Sequence, residues 1–215
     1  MNSIVLDGIS PKYFVPKTIG STAIWNKKTT FEKGGHYLVI APSGSGKSTL
    51  ATAMLGNHFE YDGSISYDGV SIKTQSVEQV VGYRKNGIQL LFQDVRLIPD
   101  LTIRDNVLLR TFAKKNAAFE EKLRAHAATL GILPLLDKKA RNCSYGERQR
   151  SAILRSLINP ADFLVYDECF SHLDLDNKKT AYGLITSVAS QSGSAVIFFE
   201  LNDLPFGHDC HILNL

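Results

Sequence analysis

The sequence has few cysteines and no long hydrophobic run. Only Cys143, Cys169 and Cys210 occur among 215 residues, and no two of them form a CxxC pair. This spacing favours a reducing compartment over a disulfide framework or a cysteine metal site. No apolar run approaches the roughly 20 residues that a bilayer-spanning helix needs, and the N-terminal residues lack the pattern of a signal peptide. We therefore expect a cytoplasmic protein.

The sequence also lacks a strong excess of charge of one sign. Its 24 Lys and Arg residues nearly balance 21 Asp and Glu residues, so the net charge is +3. Proteins that bind nucleic acids usually carry a basic face, and we therefore predict no nucleic-acid partner. Internal repeats and low-complexity linkers are also missing. The length suits one domain, 1–215, with a substantial core.

Three short apolar runs, 37–41, 163–166 and 195–199, are predicted to be buried strands. Helical patterns separate them, which favours an α/β fold with a parallel sheet. Residues 24–31 and the alternating segment GSISYDGVSI instead predict a small antiparallel sheet beside this core. Residues from about 100 to 142 are rich in helix formers and predict a helical insert.

A glycine-rich segment follows the first predicted strand. Residues 39–50 read VIAPSGSGKSTL, close to G-x-x-x-x-G-K-[ST], with Ala41 in place of the first glycine. Glycines let the backbone curl so that N–H groups point at phosphate oxygens, and the next helix, predicted from Ser48 to about Leu55, adds its N-terminal partial charge. Lys47 would reach the β- and γ-phosphates, and the Ser48 hydroxyl would bind Mg²⁺. The predicted nucleotide-binding residues of this loop are Ser43, Gly44, Ser45, Gly46, Lys47, Ser48 and Thr49.

The second predicted strand ends in two carboxylates. Residues 163–168 read FLVYDE, and the end of a buried parallel strand should lie near the phosphate loop. Asp167 is therefore predicted to hold Mg²⁺, directly or through water. Glu168 is predicted to polarise the attacking water as a general base. The structural alternative is a pair of solvated acids.

A further helix is predicted after Ser144. Ser144 and Glu147 form an S-x-x-E capping box, an apolar stripe follows, and Pro160 marks the end of the helix.

Five segments together resemble the ATP-binding cassette (ABC) ATPases. They are APSGSGKST, FQD, CSYGE, VYDE and SHLD, in the order typical of that family, and the resemblance covers nearly the whole chain. It implies a P-loop NTPase fold of ABC type, with a mainly parallel core sheet, a flanking antiparallel β-subdomain and a helical subdomain inserted at roughly 94–145. It also implies ATP and Mg²⁺ as cofactors, ATP hydrolysis, and a homodimer that closes head to tail on ATP binding.

The resemblance assigns roles to residues outside the phosphate loop. Ser144 and Gly146, with Glu147 in the same motif, would contact ATP held by the other subunit. Gln93 would join Mg²⁺ and the attacking water to the helical insert, and Asp174 would run along the dimer seam. A simple helix cap for Ser144 and a surface glutamine for Gln93 are the structural alternatives.

Three departures from the family pattern bear on mechanism, and one of them, Glu147 in place of a frequent glutamine, is often accepted by the family. Tyr145 stands where the family usually has glycine, so its side chain must point away from the nucleotide. Asn202 stands where the family usually has a histidine that contacts the γ-phosphate. Because asparagine donates a hydrogen bond but carries no charge, we predict slow turnover with intact binding. His172 is interpreted as filling a small-residue position.

An aromatic residue near the N-terminus is expected to stack on adenine. Tyr13 is the predicted residue, with Phe14 as the alternative, while Trp25 is predicted to be a core residue.

The segment FQDVRLIPDLTIRDNV, 92–107, resembles the branch that contains lipoprotein-release, macrolide-export and cell-division ATPases. That branch works with a separate membrane subunit. The resemblance therefore implies an integral membrane permease subunit that docks near the segment from Val95 to Asn106, and membrane contact only through this partner.

The sequence leaves more than one function open. The first is an ATPase subunit that powers a transporter or mechanotransmission complex. The alternative is an ATP-gated dimerising module with little or no hydrolysis, suggested by Tyr145 and Asn202. A non-membrane ABC protein acting on DNA or ribosomes is the third, and the inserted coiled coil or second cassette expected of one is missing.

Overall fold

The computed structural model describes residues 1–13, 22–109 and 116–215, and these residues form two compact units. The first unit comprises Met1–Leu90, Ala161–Glu168 and Ala189–Leu215, and the second comprises Leu91–Pro160 and Cys169–Val188. Phe14, the alternative partner for adenine, lies outside the described residues, as do residues 110–115 of the predicted insert.

Nine strands and six α-helices occur in the described residues. The strands are β1 (Ser3–Pro11), β2 (Lys28–Glu32), β3 (His36–Ile40), β4 (Tyr61–Tyr67), β5 (Val70–Ser71), β6 (Ile88–Leu91), β7 (Phe163–Asp167), β8 (Ala195–Glu200) and β9 (His211–Asn214). The helices are α1 (Lys47–Met54), α2 (Val77–Gly82), α3 (Ile103–Leu108), α4 (Ala117–Thr129), α5 (Tyr145–Ile158) and α6 (Leu175–Ser192).

The first unit is built on a five-stranded sheet with the strand order β6-β7-β8-β3-β9. Strand β7 runs parallel to β8, and β3 runs parallel to both β8 and β9. Every residue of β7 and β8 is buried, which is typical of the inner strands of a parallel sheet. The predicted mainly parallel core is confirmed, and the three predicted strands are β3, β7 and β8.

The first unit also contains the predicted antiparallel sheet, with the order β2-β1-β4-β5. Strand β1 is antiparallel to both β2 and β4, so that Val5 pairs with Thr30 on one side and with Ser66 on the other. Ile4 and Leu6 are fully buried, as the period-2 alternation of a strand requires. Trp25 is also buried, as predicted.

The second unit is helical and contains α3, α4, α5 and most of α6. Asn106 in α3 is fully buried, and its Oδ1 accepts a hydrogen bond from the backbone N–H of Ile98 at 2.7 Å. Its amide group donates to the carbonyls of Ile98 and Thr102, which fixes the segment that precedes the helix. The predicted bounds of the helical insert, 94–145, stay a prediction. Within the described part of the chain, no helix has the length and apolar character needed to cross a membrane.

Candidate functional site

The glycine-rich loop connects β3 to α1 in the first unit. Ala41 is fully buried and its N–H donates to the carbonyl of Glu200 at 3.0 Å, so the alanine ends the strand without disturbing the sheet. Gly44 and Gly46 have φ values of 78° and 97°, which side chains rarely allow. Gly46 is the N-cap of α1 and provides no side-chain cap. The first N–H groups of α1 are therefore left for an anion.

Lys47 is folded back over this loop. Its side chain is buried, and its Nζ donates to the carbonyls of Ala41 at 2.9 Å and Pro42 at 3.2 Å. The same Nζ lies 3.1 Å from Oε1 of Glu168. The structure thus brings together the predicted phosphate-binding lysine and the predicted general base.

The two carboxylates lie where β7 ends. Asp167 is the last residue of the strand, and Glu168 follows it with a left-handed φ of 48°. The N–H of Glu168 donates to the carbonyl of Phe199 at 2.9 Å, which fixes this unusual backbone. The left-handed region is a strained conformation for a residue other than glycine, and residues in such conformations are common at functional sites.

Asp167 occupies a buried position. Burial raises its pKa, a hydrogen bond from Ser48 lowers it, the charge of Glu168 raises it, and the charge of Lys47 lowers it, with a net rise. Its Oδ1 is buried without a hydrogen-bond partner among the described residues. Mg²⁺ prefers oxygen ligands, usually one or two carboxylates together with substrate phosphates and water. The hydroxyl of Ser48 and the carboxylate of Asp167 fit that preference.

The structure adds one contact that the sequence did not predict. The indole N–H of Trp25 donates to the carbonyl of Ser45 at 3.3 Å, so this buried residue supports the phosphate loop directly. The two residues are 20 positions apart, and no local pattern signals the contact. Because Trp25 is the only tryptophan of the chain, its fluorescence reports on this loop.

The remaining predicted residues of the first unit differ in their exposure. Ser43 and Ser48 are exposed, Thr49 is half-buried, and Ser45 is buried. Tyr13 is 75% exposed, and its hydroxyl donates to Glu60 at 3.3 Å. Asn202 is exposed, two residues beyond the end of β8. The roles of Tyr13 and Asn202 stay predictions.

In the second unit, the N-terminus of α5 has the predicted capping box. Ser144 Oγ accepts from the N–H of Glu147 at 3.3 Å, and Glu147 Oε2 accepts from the N–H of Ser144 at 2.7 Å. This hydrogen bond from the Ser144 backbone lowers the pKa of Glu147. A Cβ atom at Gly146 would lie 3.2 Å from the carbonyl oxygen of His172, so glycine permits a close approach there.

Tyr145 turns its side chain toward other residues of the second unit. Its hydroxyl donates to the carbonyl of Gln93 at 2.9 Å, and its ring lies 4.2 Å from the ring of His172. The interpretation of His172 as a space-filling residue therefore missed a contact, because the sequence does not show that it faces Tyr145. The side chain of Ser144 remains exposed.

Two other predicted residues belong to the same unit. Gln93 is exposed, in the segment after β6. Asp174 accepts hydrogen bonds from the backbone N–H and the side-chain amide of Asn177, at 2.8 and 2.7 Å, and the backbone hydrogen bond lowers its pKa. Asp174 therefore fixes the start of α6, and its place at a dimer seam stays a prediction.

A groove of about 580 Å³ lies elsewhere on the first unit. Phe59, Val77 and Val81 provide its apolar wall, and Lys73 and Arg84 also line it. None of the predicted site residues lines this groove.

Comparisons with known proteins identify a family. Residues 25–171 are similar to the family described as ABC transporter. The chain is 29% identical over 208 residues to the lipoprotein-releasing system ATP-binding protein LolD of Buchnera aphidicola subsp. Schizaphis graminum, covering 95% of this chain and 90% of that protein. It is 33% identical over 164 residues to the thiamine import ATP-binding protein ThiQ of Shigella flexneri, covering 75% and 68%.

The fold is similar to that of a solved structure. The dimeric bacterial ABC transporter cassette MJ0796 has a TM-score of 0.82 at 21% identity, and the similarity covers 99% of this chain and 94% of that one.

Proposed function

The chain belongs to the ABC transporter family, and on that premise we propose that it is the ATP-binding subunit of a transporter or mechanotransmission complex, which hydrolyses ATP to drive a separate membrane subunit. The observation that carries the proposal is the convergence of Lys47, Ser48, Asp167 and Glu168 at an uncapped helix N-terminus. The similarity to a lipoprotein-releasing ATP-binding protein supports the same branch of the family.

The phosphate loop binds the triphosphate through the backbone N–H groups of Ser43 to Thr49 and through Lys47. In the structure Lys47 is paired with Glu168, and incoming phosphate oxygens compete for the same ammonium group. Transfer of Lys47 to phosphate leaves the Glu168 carboxylate to accept a proton from the attacking water. Water then adds to the γ-phosphorus while the bond to the departing ADP oxygen breaks.

Ser48, Asp167 and Gln93 are the proposed Mg²⁺ residues. When bound, Mg²⁺ supplies positive charge that offsets the charge developing on the phosphate oxygens. Asp167 contributes a buried carboxylate, and the strand end holds it in place.

Two copies of the chain are proposed to close head to tail around two ATP molecules. In this arrangement Ser144, Gly146 and Glu147 of one subunit meet ATP held by the other, and Asp174 lies along the seam. The exposed hydroxyl of Ser144 and the N-terminus of α5 support this role, because helix N-termini favour anions. Tyr13 is proposed to stack on adenine, which its 75% exposure permits.

The membrane subunit is proposed to dock on the second unit near the segment from Val95 to Asn106. A cavity of about 160 Å³ lies at the start of this segment, lined by Val95, Leu97 and Pro99 among others. Ile98 is 46% exposed beside them, and an exposed apolar side chain next to a cavity suits an apolar partner segment.

A nucleotide-binding experiment tests the phosphate site. We expect Mg-ATP to change the fluorescence of Trp25, because its indole N–H is bonded to the loop, and Lys47→Ala to abolish that change. Lys179→Ala, at an exposed position of α6, is the matched control. A Lys47→Ala chain that responds like the parent would contradict the assignment of the loop.

A phosphate-release assay tests hydrolysis. Glu168→Gln removes the proton acceptor, and we expect the rate to fall by about 10²–10⁴-fold while the Trp25 response to Mg-ATP persists. Glu121→Gln, at an exposed position of α4, should hydrolyse ATP like the parent. Equal rates for the parent and Glu168→Gln, with the membrane partner present, would favour a dimerising module with little hydrolysis.

That second candidate is a dimerising module with little hydrolysis, and Asn202 is the observation that favours it. Asparagine cannot carry the charge of a histidine at the end of β8. We expect Asn202→His to raise the hydrolysis rate, by up to about 10²-fold if one γ-phosphate contact is restored. An unchanged rate would show that Asn202 does not limit turnover.

A further inference from the structure

We propose that Tyr145 is a positioning residue that couples Gln93 to the N-terminus of α5 within one subunit. The inference rests on the proposed function, in which Gln93 responds to the nucleotide of its own subunit and the α5 N-terminus meets the nucleotide of the other. When a subunit binds its own nucleotide, Tyr145 then passes the change at Gln93 to the α5 N-terminus. This changes the position in which the α5 N-terminus meets the nucleotide of the other subunit.

The first observation is the contact between the two segments. Tyr145 is the first residue of α5, and its hydroxyl donates to the backbone carbonyl of Gln93 at 2.9 Å. This hydrogen bond holds the backbone at Gln93 in place. The glycine usual at this position in the family has no side chain to form such a bond.

The second observation is that the SHLD segment supports the ring of Tyr145. The ring of His172 lies 4.2 Å away at 59°, and the N–H of His172 donates to Oε1 of Gln149 in α5 at 3.2 Å. Gln149 also bonds to the hydroxyl of Ser171. The tyrosine is therefore supported beside α5, which limits the loss of side-chain entropy when its hydrogen bond forms.

The third observation is a second attachment further along α5. Arg155 donates to the carbonyls of Val95 and Arg96 at 2.8 and 2.7 Å. Both of those residues have left-handed φ values, 37° and 45°, and a β-branched residue such as Val95 rarely adopts them. The segment from Gln93 to Arg96 is thus attached to α5 at two points about 15 Å apart along the helix.

These attachments predict that the segment and the helix move as one body. A displacement of Gln93 on nucleotide binding is transmitted through Tyr145 to Ser144 and Gly146, because they are its neighbours in sequence. Glycine at position 145 would remove the Tyr145 attachment and leave the Arg155 attachment in place. Tyr145 and His172 therefore act together to hold the segment at Gln93 against α5.

The test measures ATP-driven dimerisation of the full chain in a Glu168→Gln background, by analytical ultracentrifugation with Mg-ATP. Tyr145→Phe keeps the ring and removes one hydrogen bond, and we expect the dimer dissociation constant to rise about 2- to 10-fold. The Trp25 response of the monomer to Mg-ATP should not change. Tyr61→Phe is the matched control, since the buried Tyr61 hydroxyl has no hydrogen-bond partner among the described residues.

A double-mutant cycle shows whether Tyr145 acts on dimerisation through Gln93 or only stabilises α5. Gln93→Ala should weaken dimerisation when Tyr145 is present and have little further effect in the Tyr145→Phe chain. Purely additive effects, or an unchanged constant for Tyr145→Phe, would overturn the inference and leave the proposed function standing. If Tyr145→Phe fails to fold, His172→Ala takes its place in the same cycle with the same expected outcomes.

Failure of the proposed function has a different signature. A Glu168→Gln chain with Tyr145 intact that stays monomeric at saturating Mg-ATP would overturn the head-to-tail dimer, and this inference with it.

Discussion

At the scale of single residues, Asp167 shows how a site can lower the stability of its own fold. Burial raises the pKa of Asp167 in the folded chain above the ordinary value of 3.8. At pH values between 3.8 and this raised pKa, the folded chain binds more protons than the unfolded chain. The free energy of unfolding therefore falls as the pH rises through that window. The raised pKa means that ionising this carboxylate costs more free energy in the folded chain than in the unfolded chain.

This sign predicts the effect of Asp167→Asn. We expect the variant without nucleotide to have a higher Tm than the parent at pH 7. The advantage should shrink as the pH is lowered toward the window, because the parent carboxylate becomes protonated. Differential scanning calorimetry at a series of pH values from 7 downward measures it.

Asp7→Asn, at an exposed position of β1, is the control and should leave the Tm nearly unchanged. A lower Tm for Asp167→Asn at pH 7 would mean that pairing with Lys47 outweighs the cost of burial. The variant should also lose most of its stabilisation by Mg-ATP, since it removes the proposed carboxylate ligand.

At the scale of elements, the sequence predicts those features that depend on neighbouring residues. The start of α5 could be predicted because Ser144 and Glu147 cap the helix within one turn. Strands β7 and β8 could be predicted because both are apolar throughout. Strand β6 has only four residues, and β9 is largely exposed, so neither gives a clear pattern.

The contacts of the candidate site also divide into those between neighbouring residues, which the sequence predicts, and those between distant residues, which it does not. Gly44, Gly46 and Lys47 lie in one loop, and their arrangement could be predicted from spacing. The bond from Trp25 to Ser45 spans 20 residues, and the bond from Tyr145 to Gln93 spans 52. Such contacts depend on how separate elements pack, and the order of residues in the chain does not reveal them.

The α5 N-terminus permits a prediction that separates its two proposed roles. Ser144→Asp keeps a good N-cap, because aspartate also accepts hydrogen bonds at that position, but it places a negative charge where the γ-phosphate of the other subunit is proposed to lie. We expect normal thermal stability and no ATP-driven dimer in the Glu168→Gln background, measured by size-exclusion chromatography with light scattering.

Ser144→Ala is the companion variant. It removes the cap and should lower the free energy of unfolding by about 1 kcal/mol. Dimerisation of Ser144→Asp at the same ATP concentration as the parent would show that Ser144 is a helix cap alone.

At the scale of the whole molecule, the proposed site residues are divided between the two units. Lys47, Asp167 and Glu168 belong to the first unit, and Gln93 and Ser144 belong to the second. Neither unit alone contains the full set that hydrolysis is proposed to need. In the proposed head-to-tail dimer, Ser144 of one copy lies at the ATP that Lys47 of the other copy binds.

Thermal unfolding of the Glu168→Gln chain tests this picture. Mg-ATP at about 100 times its dissociation constant should add about 2.7 kcal/mol to the free energy of unfolding, which is about 5–10 °C in Tm for a chain of this length. If ATP also joins two copies, the Tm with Mg-ATP should rise with protein concentration, because unfolding then includes dissociation. Without nucleotide the Tm should be independent of concentration, and Lys47→Ala should remove both effects. A rise in Tm that is the same at every protein concentration would show that ATP binds to a monomer, and the head-to-tail dimer would then have to be abandoned.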